Sequence, residues 1–129
     1  MKKDNEILDL FGKIFAEEVF DANLMLLIQS TKYGDLYNGM FKNLSEEQKK
    51  EYINFFHTNF SNIFFSFFKI FEDYEEFNIS FEGTNQKVKL TDISTNLFGE
   101  HLAERGWILR FSKVLTDEMK LKIKKDMDW

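Results

Sequence analysis

Apolar residues in the first part of the chain recur at steps of three and four. Leu8, Phe11, Phe15, Val19, Ala22 and Leu26 fall on one face, with Glu6, Asp9, Lys13, Glu17 and Asp21 on the other. That period predicts an amphipathic helix over about residues 5–30, capped by Asp4 or Asn5. Its far end, where Leu24-Met25-Leu26-Leu27-Ile28 is apolar all round, is expected deepest in the core. Ser30–Gly34 reads as its end and Asp35–Gly39 as a turn or a single helical turn.

Ser45-Glu46-Glu47-Gln48 has the form of a capping box, in which the serine hydroxyl and the glutamine side chain each satisfy the other's backbone N–H. A second helix is predicted from there over about 45–75. Tyr52, Phe56, Phe60, Ile63, Phe67, Phe71 and Tyr74 form its stripe, which Ile53, Phe64 and Phe68 widen, while Phe55 and Phe65 fall further round. A surface helix needs an apolar arc only about 100° wide. The stretch Phe60–Phe71 exceeds that and predicts contact on more than one side. Phe60, Phe64, Phe65 and Phe68 are therefore candidates for an apolar pocket or an interface.

Beyond Glu76 the period becomes two. Phe77, Ile79 and Phe81 alternate with polar residues, and Val88 and Leu90 alternate with Lys87 and Lys89. This predicts a hairpin with strands at about 77–82 and 87–91 and a loop of three to five residues around Gly83-Thr84-Asn85. Ser94 or Thr95 caps an expected helix at about 95–105, stopped by Gly106. Alternating Trp107, Leu109 and Phe111 predict a third strand at about 107–112. Thr116-Asp117-Glu118 opens a C-terminal helix at about 116–126, whose few apolar residues (Met119, Ile123, Met127) suggest fraying of the last ten or so residues. The expected fold is α+β: two long N-terminal helices packed with a small three-stranded antiparallel sheet, in one domain spanning residues 1–129.

Composition narrows the function classes. A chain of 129 residues buries enough surface to fold without disulfides or metal, and with no cysteine it has neither a thiolate nucleophile nor a cysteine-bound zinc. Sixteen phenylalanines imply a large aromatic core. A net charge of −5 without a basic patch argues against nucleic-acid partners. No apolar run approaches the roughly 20 residues of a membrane span, and Asp9, Lys13, Glu17 and Glu18 interrupt any secretory signal. The expectation is a cytoplasmic protein.

Candidate chemistry is sparse. His57 and His101 are the only histidines, and His101 with Glu104 supplies two of the three or four ligands a transition metal needs. Neither metal nor cofactor is expected. Asp9, Glu17, Glu18 and Asp21 offer paired carboxylates, but Glu17 and Asp21 fall on the water-facing side and only Glu18 borders the apolar one. Glu72, Asp73, Glu75 and Glu76 place negative charge at a helix C-terminus, against the macrodipole, where a basic partner could compensate it. Tyr33 and Tyr37 in a glycine-flanked loop, and Arg110 near the presumed core Trp107, complete the candidate partner-binding set. The profile is that of a small non-catalytic protein-binding module, such as an immunity protein, an antitoxin or a regulatory subunit. It is compatible with homodimerisation. Two alternatives are a binder of an apolar small molecule in a Phe-lined cavity and an enzyme with dispersed residues using His57 or His101 as base.

Overall fold

The computed structural model describes residues 1–29, 43–102 and 104–127. Its first element is a helical rod in three parts: α1 (Asp4–Ile14), a π segment (Phe15–Asp21) and α2 (Ala22–Ile28). The backbone stays right-handed through both junctions, at Ile14 and Ala22, so the rod is continuous while its hydrogen-bond spacing widens. Phe15 and Phe20, like Ala16 and Asp21, are buried pairs five residues apart. An i→i+5 turn brings such pairs nearly one above the other, which an α-turn cannot do.

This corrects the expected uninterrupted α-helix. The inserted residue re-registers the buried stripe from Val19, Ala22 and Leu26 to Phe20, Leu24 and Leu27. Leu26 and Ala22 end up exposed. Asp21, assigned to water by α-periodicity, is buried instead.

The helix α3 (Glu46–Asp73) is a single element of 28 residues. Its capping box is formed: Ser45 Oγ accepts from the Gln48 N–H at 3.2 Å, and Gln48 Oε1 accepts from the Ser45 N–H at 2.9 Å. Ser45→Ala leaves the Gln48 N–H without its acceptor. It should lower the unfolding free energy by about 1 kcal/mol in urea denaturation, with an unchanged m-value. The rod runs antiparallel to α3, pairing Phe11 with Phe68, Phe15 with Phe64, and Phe20 with Phe56, at ring separations of 6.3, 4.9 and 5.6 Å.

The sheet has two strands, β1 (Ser80–Gly83) and β2 (Gln86–Lys89), antiparallel with Phe81 opposite Val88. The loop between them is two residues, Thr84-Asn85, shorter than expected because Asn85 adopts φ 59°, a left-handed conformation that asparagine tolerates and that closes the turn tightly. The Gln86 side chain grips the Lys2 backbone through both its N–H and its carbonyl, tying the hairpin to the start of the rod. The short α4 (Leu90–Ile93) follows directly on β2.

The chain is thus mostly helical, and the expected third strand is absent from the described residues. Residues 107–112 form a helical turn, α5 (Trp107–Phe111), started by Gly106. Trp107, Ile108 and Leu109 are buried in succession, whereas a strand would have turned Ile108 outward. The turn is covered by the rod on one flank and, at Trp107, by Phe68 of α3 on another, so consecutive residues find cover.

The expected helix at 95–105 is also corrected: among the described residues of that span, only Leu97–Gly99 form a helical element, a 3₁₀ turn. Local side-chain bonds replace helical ones there. Ser94 Oγ donates to Glu100 Oε1 at 2.6 Å and accepts from the Asn96 N–H at 3.1 Å, and the Trp107 N–H bonds to the Glu100 carbonyl. The last helix, α6 (Asp117–Met127), has Thr116 Oγ1 accepting from the Met119 N–H and anchors on the buried Ile123.

Candidate functional site

The long helix has two very different faces, and each holds candidate chemistry. Inward, Ile53, His57, Phe60, Ser61 and Phe68 are buried. Phe15 lies within 5.9 Å of Phe60, Phe64, Phe68, His101 and Trp107, measured between ring centroids. The rings meet mainly edge-on or tilted, the arrangement favoured by aromatic quadrupoles. Phe60 and Phe64 are 4.6 Å apart and Phe64 and Phe68 5.8 Å, so the candidate pocket residues pack on one another. Phe65 lies further round and packs on Phe98.

Embedded in this cluster is a polar knot that the sequence did not reveal. His57 and Ser61, one turn apart on α3, and His101, from the turns after the 3₁₀ segment, converge although 40 residues separate the last two. His101 Nε2 lies 2.9 Å from the Ser61 carbonyl, so that nitrogen carries the proton and donates it. His57 Nε2 lies 3.5 Å from Ser61 Oγ.

Burial lowers the pKa of His57 from 6.5 to about 4, with the neighbouring His101 charge acting in the same direction. Burial also lowers that of His101, opposed by its bond to the Ser61 carbonyl. Both rings are neutral at pH 7. A serine beside a neutral imidazole has the composition of a nucleophile and base, but among the described residues no carboxylate hydrogen-bonds to either ring to orient it. His57 and Ser61 form the floor of a cleft with Asn54, Thr58, Asn62, Leu102, Ile123 and Asp126. Among the described residues no group of three or more His, Asp or Glu is placed to hold a metal ion.

A second polar contact also escaped the sequence reading. The buried Asp21 carboxylate accepts from Ser112 Oγ at 2.5 Å and from the Lys113 N–H at 2.7 Å, while Ser112 Oγ accepts from the Leu115 N–H. Glu17 pairs with Lys113 at 3.0 Å, and Glu18 points to solvent. Asp21 and Glu17 therefore fasten the rod to the segment after α5.

The described members of the predicted partner-binding set lie at the end of α3 (Glu72, Asp73), in the turn after it (Glu75, Glu76) and on α5 (Arg110). Arg110 is engaged internally: its guanidinium pairs with Asp9 at 2.8 Å and stacks over Phe111. Glu72 accepts from the Leu97 N–H and Asp73 pairs with Lys69, so half of the acidic cluster has an intramolecular task. Glu75 and Glu76 are exposed in the turn after α3. Tyr33 and Tyr37 lie outside the described residues.

Beside this packed face, α3 and its C-terminal cap Tyr74 carry a partly exposed apolar strip, in which Phe67 packs on Phe64, Phe68 and Phe71. Ile63, Phe67, Ile70 and Tyr74 are 64%, 45%, 41% and 55% exposed. Phe55 continues the apolar surface toward the N-terminus, where it lines a cleft with Leu26. The excess apolar arc read from the sequence is therefore half core and half surface. The signal for the surface half was present, because Ile63, Phe67 and Ile70 are spaced four and three apart and so share one side of the helix. No family model, curated protein or solved structure matches the chain. No helix among the described residues is long and apolar enough to cross a membrane.

Proposed function

We propose that the chain is a non-catalytic protein-binding module of the cytoplasm that engages its partner through the outer seam of α3. One observation carries this reading: the partly exposed row Ile63, Phe67 and Ile70 on the longest helix, with Tyr74 just beyond its end. A monomeric protein rarely leaves such a contiguous apolar row in water, and an uncovered one marks an interaction site. Aromatic anchors such as Phe67 are typical of interface centres. The row also stands on a firm support, because the adjoining face of the same helix packs on Phe15.

The test is retention on the immobilised full chain. Wild-type protein should retain a stoichiometric partner from the native host extract, and Phe67→Glu should lose at least about nine-tenths of it while keeping its far-UV circular dichroism. Equal retention by both proteins, or none by the wild type, overturns the reading.

A further inference from the structure

We infer that the cleft over His57 and Ser61 is a binding site for a small organic amine, whose ammonium sits against Asp126 and whose apolar body lies on Leu102 and Ile123. The cleft shares none of its lining residues with the row Ile63, Phe67 and Ile70, so it is a second site and stands apart from the partner-binding reading. Helix α3 supplies His57 and Ser61, α6 supplies Ile123 and Asp126, and Leu102 comes from the turns after the 3₁₀ segment. Its volume of about 300 Å³ is at the lower end of the range of small-molecule sites, about 300–1,000 Å³.

The floor of the cleft holds a polar group without a good partner. His57 is 4% exposed and Ser61 3%. Among the described residues the only hydrogen-bond contact of the His57 ring is its 3.5 Å approach to Ser61 Oγ, longer than the roughly 2.7–3.2 Å of a well-formed bond. Buried polar groups are almost always paired. Here the partner has to come from the cleft. Leu102 and Ile123 beside the ring favour one with an apolar body over water alone.

The rim selects for a donor. Thr58 Oγ1 gives its hydrogen to the Asn54 carbonyl at 3.0 Å, and the Asn54 amide donates to Asp126. That second bond fixes the Asn54 amide with its nitrogen toward the carboxylate. What these side chains leave unused is the Asn54 amide oxygen, the Thr58 lone pairs and the rest of the Asp126 carboxylate, all of them acceptors. Among the described residues no lysine or arginine lines the cleft. A carboxylate or phosphate there would meet Asp126 with no counter-charge, whereas an ammonium meets one negative charge and several acceptors. The His57 ring is neutral at pH 7 and does not repel it.

Titration of the full chain with benzylamine, benzyl alcohol and benzoate at pH 7, followed by NMR, tests the site. Benzylamine should shift the His57 ring protons and the Ile123 methyls in a saturable way. It should bind at least about fivefold more tightly than the alcohol or the acid, which have the same ring and lack the positive charge. Asp126→Asn, a change at an exposed position, should remove most of that preference. His57→Gln should weaken benzylamine about tenfold while keeping its circular dichroism.

Saturable binding that prefers the amine and loses that preference in Asp126→Asn supports the proposal. No shift at His57 with probe up to about 10 mM, equal binding of the three probes, or binding that both variants leave unchanged overturns it. Contacts from the chain's own Asp128 or Trp129 to His57 in the free protein would overturn it as well, because the cleft would then be filled from within.

Discussion

Gly12→Ala should lower the unfolding free energy by about 2–3 kcal/mol, at a helix position where the same change ordinarily stabilises by nearly 1 kcal/mol. The cause is the indole of Trp107, which lies directly on the Gly12 backbone. A Cβ built there falls well under 3.0 Å from Trp107 Cδ1, Cγ and Nε1, a separation at which one of the groups must shift. The ring has no free side to retreat to: Trp107 is fully buried, and Phe11, Phe15 and Phe68 hold it at centroid distances of 5.4, 5.9 and 6.1 Å. The added methyl therefore displaces either the rod or α5, and with it the cluster that supports the outer face of α3.

Urea denaturation at pH 7 reads the loss. The decisive comparison is Gly12→Ala in a Trp107→Leu background, where the obstruction is gone. There the alanine should become neutral or mildly stabilising, reversing its sign across the double-mutant cycle. An alanine at position 12 that is harmless in the wild type would show that the indole does not press on this backbone.

The same contact shows what the sequence could and could not disclose. Gly12 sits in the polar-to-apolar boundary of a clean helical period and looks like an isolated helix glycine, which carries no information about what approaches it. The α-period through Phe15 is legible, and so is the capping box at Ser45, because both are local. The π segment is not: Val19 and Phe20, and Leu26 and Leu27, are adjacent apolar pairs, so the sequence fits the register with or without the inserted residue. Which member is buried depends on Asp21 reaching Ser112, 91 residues away.

Trp107-Ile108-Leu109 failed for a related reason. A short apolar run fits a strand or an enclosed helical turn equally well, and only its neighbours decide between them. The outer seam of α3 was legible as an excess of apolar arc. Its division into core and surface was not, because that depends on which side of α3 the rod packs against. The His57–Ser61–His101 knot is assembled entirely by tertiary packing and left no mark in either local pattern.

That knot carries the other large expected effect, a loss of stability in mild acid. An unfolded chain protonates its histidines around pH 6.5, while folded His57 resists protonation until about pH 4. Between those values the unfolded state binds more protons, so stability rises with pH and falls as pH is lowered. Above about pH 6.5 the contribution is fully present, and by pH 4 it is lost. The gap corresponds to about 3 kcal/mol for this buried ring. His101 acts in the same direction, since burial lowers its pKa as well.

The two are not independent. A charge on either ring disfavours a charge on the other across Ser61, so protonating both is harder than protonating each alone. Urea midpoints measured from pH 7.5 to 4 should be flat at the top of the range and fall below about pH 6.5. His57→Gln, which keeps a polar side chain near Ser61 but cannot titrate, should be less stable than wild type at pH 7 and flatter below it. The two curves should therefore converge in acid. Curves that stay parallel down to pH 4 would mean that His57 ionises as readily folded as unfolded, and that the knot lies open to water.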